Sequence, residues 1–194
     1  MEFRIERTAP CPVYFTASRE MGGKPQYSIS ISSQTIESNQ KVHIPMIAIA
    51  SDHAAFAFKE EIKSWLAEKG IETRDFGCFS AERADYPDFG FAASEAVARG
   101  ECELGILICG TGIGMAITAN KVRGIRAAVC TEPCSARLSR QHNNANVLAM
   151  GARIIGPELA KMIVETWLGA SFEGGRHAAR VGKIMAYEQQ HAGV

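Results

Sequence analysis

From Met46 onward the chain alternates five times between a short apolar run and a stretch with helical character, and nothing else in the sequence limits the fold so tightly. The runs are MIAIA (Met46 to Ala50), ETRDF (Glu72 to Phe76), LGILIC (Leu104 to Cys109), RAAVC (Arg126 to Cys130) and NVLAM (Asn146 to Met150), all of strand length. After the first, Phe58, Ile62, Trp65 and Leu66 fall on one helical face before Gly70 stops the helix. A second helical stretch follows Pro87 and ends at Gly100, and a third runs from the glycines after Cys109 to about Lys121. The last two runs are also followed by helical sequence. Repeated strand and helix units predict an α/β fold: a three-layer α/β/α arrangement with a five-stranded parallel, Rossmann-like sheet covered by helices on both faces. Residues 1–45 carry no sustained period. Their serine-rich run SISISSQTIESNQ alternates only briefly, which allows a short edge strand but favours a flexible N-terminal extension. The expected organisation is an extension over 1–45, one domain over 46–190 and a C-terminal tail over 191–194.

Charge and cysteine usage narrow the function. Lysine plus arginine and aspartate plus glutamate are equal at 21 each, so no positive field draws a nucleic acid backbone or an anionic membrane. No apolar stretch approaches the roughly 20 residues that cross a bilayer, and the first 45 lack the apolar segment of a secretory signal. A soluble, cytoplasmic protein is expected. Cys11, Cys78, Cys102, Cys109, Cys130 and Cys134 lack the spacing of a disulfide framework and are expected to be reduced. Cys130 and Cys134 are the closest pair, but no second pair or histidine at matching spacing accompanies them, so no metal site is expected.

In an open α/β sheet, ligands bind beyond the carboxyl ends of the strands. Asp52 and His53 follow the first strand, Cys109 and a glycine loop follow the third, and His142 with Asn143 precedes the fifth. These residues are expected to converge there. The loop GTGIG fits neither common phosphate motif: Met115 and Ala116 follow Gly114 where a Walker loop needs Lys-Ser/Thr, and Met115 stands where a dinucleotide fingerprint needs its third glycine. What remains is Gly110, Gly112 and Gly114 leading into a helix, a turn that aims unshared N–H groups at an anion. Beside Cys109, such a turn suits proton abstraction next to a carbonyl, with thiolate favoured at the helix start. The residues alone leave a second reading open, in which Cys109 ends a buried strand and the glycines only turn the chain. His142 equally fits a helix-end surface residue, and His53 a cap of the first helix.

Taken together, SDHAAFAFKEEI, ERADYPDF, GILICGTGIGMAITANKVRGIRAAVC, SARLSRQHNNANVLAMGARIIG and FEGGRHAARV resemble the ribose 5-phosphate isomerase B family, whose relatives include allose and galactose 6-phosphate isomerases. The resemblance runs from Met46 to about Gln190. Met46 stands where the family's chains start, so residues 1–45 are expected to be either an added tail or the product of an upstream start assignment. The resemblance implies interconversion of an aldose phosphate and a ketose phosphate through an enediolate, without metal, nucleotide or other cofactor. It implies Cys109 as the base, Thr111 as a helper, and the amides of Gly110, Gly112, Ile113 and Gly114 as the enediolate cradle. His142 is implied as the acid that opens the sugar ring. Asp52, His53 and Asn143 would bind sugar oxygens and Tyr86 would line the site, although a turn aromatic packed on Pro87 is an equal reading. Arg176 and Arg180, four apart on a helix face, would clamp the phosphate with Arg153 as a third cation; without the resemblance they would read as a solvated face. His177 is left unassigned. The resemblance implies a homodimer or dimer of dimers with shared active sites. Ribose 5-phosphate is the expected substrate; the alternatives are a hexose 6-phosphate, a tetrose phosphate, or a non-catalytic sugar-phosphate or nucleotide-binding module.

Overall fold

The structure, a computed structural model, describes residues 13–18, 26–31 and 45–191. Strands β1 (Val13–Ser18) and β2 (Gln26–Ile31) pair antiparallel, Val13 opposite Ile31, in a two-stranded sheet of their own. The rest of the expected extension, and the tail after His191, lie outside the described residues.

The main sheet has five strands, all parallel, in the order β4-β3-β5-β7-β6. They are β3 (Ile47–Ser51), β4 (Thr73–Asp75), β5 (Leu104–Cys109), β6 (Ala127–Val129) and β7 (Val147–Gly151), each within two residues of its expected bounds. The helices between and after them are α1 (Phe56–Glu68), α2 (Tyr86–Ala98), α3 (Ile113–Ala119), α4 (Pro133–Asn143), α5 (Pro157–Leu168) and α6 (Gly175–Gln190).

The two-residue period of the strands divides the core. Ile47, Ile49, Ile106, Ile108, Leu148 and Met150 face one side, packing with Ile62 and Leu66 of α1, Ala136 of α4, and Ile163, Val164 and Trp167 of α5. Ala48, Ala50, Leu107, Cys109 and Val147 face the other, against Ala93, Ala96 and Val97 of α2 and Met115 and Ala119 of α3. The central strands are therefore apolar on both faces, as a sheet covered on both sides requires. Phe58 and Trp65 pack at the rim of the first layer, so the helical face read from the sequence is the one that meets the sheet.

β3 and β5 lie side by side, yet the chain leaves β3 for β4 on one side and reaches β6 on the other after β5. The crevice beyond their carboxyl ends is the topological switch point of the sheet, where open α/β folds hold ligands.

Candidate active site

β3 and β5 deliver their last residues into this crevice. The Asp52 amide donates to Ile108 O at 3.2 Å, tying the two strand ends together. Asp52 Oδ1 accepts from Ala55 N at 3.1 Å and so caps the short turn His53–Ala55. His53 Nδ1 lies 3.0 Å from Ala84 O and 3.3 Å from Ala84 N, which anchors the ring through that nitrogen and leaves Nε2 for a ligand.

Cys109 ends β5 and is only 5% exposed. The Gly112 amide donates to its Sγ at 3.1 Å. Gly112 reaches this position with φ of +80°, and a Cβ there would lie 2.9 Å from the carbonyl carbon of Met150. The loop is also packed backbone to backbone elsewhere, since a Cβ on Gly151 would meet the Thr111 carbonyl carbon at 2.6 Å. Thr111 Oγ1 accepts from Ile113 N at 3.3 Å, bracing the turn.

Arg153 and Tyr86 border the same loop. The Arg153 amide donates to Gly110 O at 3.0 Å, and its side chain passes 3.6 Å from where a Gly110 Cβ would sit. The Tyr86 ring comes within 2.8 Å of a Cβ built on Gly114, so it leans on the glycine loop. Asp52, His53, Tyr86, Cys109, Gly110, Thr111, Gly112, Ile113, Gly114 and Arg153 are thus assembled at one edge of one chain.

His142 and Asn143 are not among them. They end α4, whose following residues turn through Asn144 (φ +48°) into the start of β7. Because every strand of the sheet points the same way, a residue just before a strand lies at its amino edge, and the expected convergence with Cys109 fails for that reason. Gly105 is opposite Val147 and Cys109 opposite Gly151, so about 13 Å of sheet separates the two edges at 3.3 Å per residue. Glu173 donates its amide to Gln141 O at 3.0 Å, which brings the start of α6 to the same amino edge. His142 and His177 stack there with ring centroids 4.2 Å apart and planes 1° from parallel. Each Nε2 is 3.8 Å from Glu173 Oε2. Arg176 Nε–H donates to His177 Nε2 at 3.3 Å. Burial, then the neighbouring His142 and Arg176, hold the His177 imidazole below its ordinary pKa. Arg176 and Arg180 therefore belong to the amino edge, apart from Arg153, which was expected to join them.

A charged network beneath the carboxyl edge was not read from the sequence. Lys59 is fully buried; its Nζ lies 2.5 Å from Asp75 Oδ2 and 3.1 Å from Glu60 Oε1. Burial alone would raise the Asp75 pKa, but hydrogen bonds from Lys59 and Lys63 outweigh it and hold the carboxyl below its ordinary value. Asp75 Oδ1 also accepts from Gly77 N, and Gly77 and Cys78 are hydrogen-bonded to Ser51. The network thereby fixes the strand end that carries Asp52 and His53. Lys59 sits in KEEIKSW on α1, and its partner Asp75 arrives from β4.

Fold and carboxyl edge define a class: an α/β enzyme with a thiol and backbone amide donors gathered at the switch point of a parallel sheet. Comparison with known proteins narrows it. A family model described as Ribose/Galactose Isomerase matches residues 47–184. Ribose-5-phosphate isomerase B of Escherichia coli (strain K12) is 58% identical over 144 residues, covering 74% of this chain and 97% of that protein. D-erythrulose-4-phosphate isomerase of Pectobacterium atrosepticum is 50% identical over 145 residues, covering 74% and 95%. The solved structure of Clostridium thermocellum ribose-5-phosphate isomerase B superposes with a TM-score of 0.74 at 55% identity, covering 75% of this chain and 99% of that one. The chain belongs to the ribose/galactose isomerase family and is a sugar-phosphate isomerase.

Proposed function

We propose that residues 46–190 interconvert D-ribose 5-phosphate and D-ribulose 5-phosphate, with Cys109 as the base, in a homodimer or dimer of dimers whose sites are shared between copies. The observation that carries the reading is the seat of Cys109: a buried thiol at the switch point, its sulfur accepting the Gly112 amide.

Starting from the open-chain aldose, the Cys109 thiolate removes the C2 proton. The C–H electron pair forms the C1–C2 double bond and the carbonyl pair moves onto O1. Amides of the loop Gly110 to Gly114 would hold the resulting enediolate oxygens, those of Gly112 and Ile113 exchanging their bonds to Cys109 Sγ and Thr111 Oγ1 for bonds to substrate, and Thr111 lies beside them. The Cys109 thiol then returns the proton to C1, while the O2 hydroxyl proton passes to O1 and C2 becomes the carbonyl. These steps are routed through side chains and backbone amides of the chain itself.

Ribose 5-phosphate reaches the site as a ring, and ring opening needs a proton on the ring oxygen at C4, next to the phosphate-bearing C5. The reacting carbons C1 and C2 lie at the other end. This division matches the two edges of the protein: base and amide cradle at one, His142 with Arg176 and Arg180 at the other. One chain holds them on opposite edges of its sheet, so a complete site requires the amino edge of a second copy against the carboxyl edge of the first. Asp52, His53, Tyr86, Asn143 and Arg153 would complete the sugar and phosphate contacts. The free thiols of Cys78, Cys102, Cys109, Cys130 and Cys134 suit the reducing cytoplasm.

The similarity to the Pectobacterium enzyme favours a second substrate reading, a tetrose 4-phosphate on the same machinery. Chelator-treated protein supplied with ribose 5-phosphate and assayed for ribulose 5-phosphate tests the first. Turnover by the parent, falling by about 10²–10⁴ in Cys109→Ala, is the expected result. No turnover by the folded parent overturns the substrate, and an undiminished Cys109→Ala overturns the base.

A further inference from the structure

The amino edge holds two groups that the mechanism above leaves idle, Glu173 and His177. They occupy a defined geometry around His142. Its imidazole lies flat on that of His177, and one carboxylate oxygen, Glu173 Oε2, is 3.8 Å from the Nε2 atom of each ring. That is ion-pair reach, longer than a direct hydrogen bond. The other charges around the pair are Arg176, bonded to His177, and Arg180, whose positive charge also acts on it.

This arrangement decides which ring carries a proton. Arg176 Nε–H points its hydrogen at His177 Nε2, which must therefore present a lone pair there and keep any proton on Nδ1. A neutral His177 follows, and burial beside two guanidinium groups works in the same direction. Two imidazolium rings stacked at 4.2 Å would repel, so a neutral His177 is the ring on which a proton-carrying His142 can lie, with the Glu173 carboxylate beside both. With Glu173 on its Nε2 side, His142 keeps Nδ1 for the substrate. The same three groups lie within 4.8 Å of one another, a spacing open to a metal ion. Arg176 already takes the His177 lone pair, and parallel rings do not converge their lone pairs on one point, so the cluster suits a proton better than a metal.

We propose that Glu173 and His177 are positioning residues for ring opening: the carboxylate and the stacked neutral ring hold His142 as an oriented acid. The proposal rests on the reading of His142 as the ring-opening acid. In that step the C1–O4 bond breaks, its electron pair goes to O4, His142 gives O4 a proton, and the O1 hydroxyl loses its proton to water as the C1 carbonyl forms.

An enzyme that has lost ring opening but kept isomerisation depends on aldehyde formed spontaneously in solution, and this gives the role a signature. The rate with ribose 5-phosphate then stops rising in proportion to enzyme and bends toward a ceiling set by uncatalysed ring opening. For Glu173→Gln, isosteric at a half-exposed site, the rate should bend to a slope roughly 10- to 100-fold below that of the parent, a part of what a general acid supplies. The parent should stay linear. His142→Gln should bend in the same way, and adding Glu173→Gln to it should change nothing further, because Glu173 acts through His142. A Glu173→Gln rate that stays strictly proportional to enzyme, or a double variant much worse than His142→Gln alone, overturns the proposal. If His142→Gln itself stays linear, the parent reading of His142 fails instead.

Discussion

Replacing Gly112 by alanine tests whether the glycine loop is held by backbone geometry rather than by chance. Gly112 has φ of +80°, where an L side chain costs about 1–2 kcal/mol. Its Cβ would also stand 2.9 Å from the carbonyl carbon and 3.1 Å from the nitrogen of Met150, backbone atoms in the middle of the sheet that cannot swing aside. Overpacking of this kind adds about 1–3 kcal/mol. The sum, roughly 2–5 kcal/mol, corresponds to a melting temperature lower by about 5–15 °C for a chain of this size. Relief of the clash would move the Gly112 amide off Cys109 Sγ, so turnover measured well below both melting points should fall as well. Gly110→Ala is the control: the atoms nearest its Cβ would belong to the flexible Arg153 side chain, from 3.6 Å, an ordinary contact. Differential scanning fluorimetry and the isomerase assay on both variants decide the matter. A Gly112→Ala protein that melts with the parent, or a Gly110→Ala protein destabilised as much, would refute the reasoning.

Two further outcomes follow from the site. Asp75→Asn leaves the buried Lys59 with Glu60 as its remaining carboxylate and should cost up to about 3–5 kcal/mol at neutral pH. Because the native Asp75 carboxyl titrates below its ordinary value of 3.8, the stability it contributes is present above that value and is lost as pH falls through the lower native one. The gap in melting temperature between parent and Asp75→Asn should therefore narrow on acidification below about pH 4, as a melting series from pH 7 to pH 3 would show; a gap independent of pH contradicts it. Alkylation of Cys109 by iodoacetamide, followed by peptide mass spectrometry, should slow under saturating ribose 5-phosphate. Labelling at an unchanged rate would count against substrate lying on that sulfur.

The sheet was legible because β3, β5 and β7 are buried on both faces and so read as unbroken apolar runs bounded by glycine and polar residues. The turn after Cys109 was legible too, from Gly110, Gly112 and Gly114 spaced two apart ahead of a helix. Strand order was not, because every crossover joins strands in the same direction whatever their neighbours. His142 was misplaced for a reason the sequence already contained: parallel strands send the residues before them to the amino edge and those after them to the carboxyl edge. The expected grouping of His142 with Cys109 within one chain fails for that reason. The Lys59–Asp75 pair was not read from the sequence because its partners lie 16 residues apart, one on α1 and one on β4. Glu173 carried a local signal, four residues before His177, but its neighbour His142 comes from a different helix.

Complementation tests the shared site most directly. Cys109→Ala and His142→Ala each damage every site, whether alone or in a homodimer. Co-expressed or refolded together at equal amounts, they form mixed dimers in which one site pairs the intact Cys109 of one copy with the intact His142 of the other. With random pairing the mixture should recover about one quarter of parent activity on ribose 5-phosphate. Activity no higher than that of the two separate variants, in a preparation shown by mass spectrometry to contain mixed dimers, would contradict a site built from two copies.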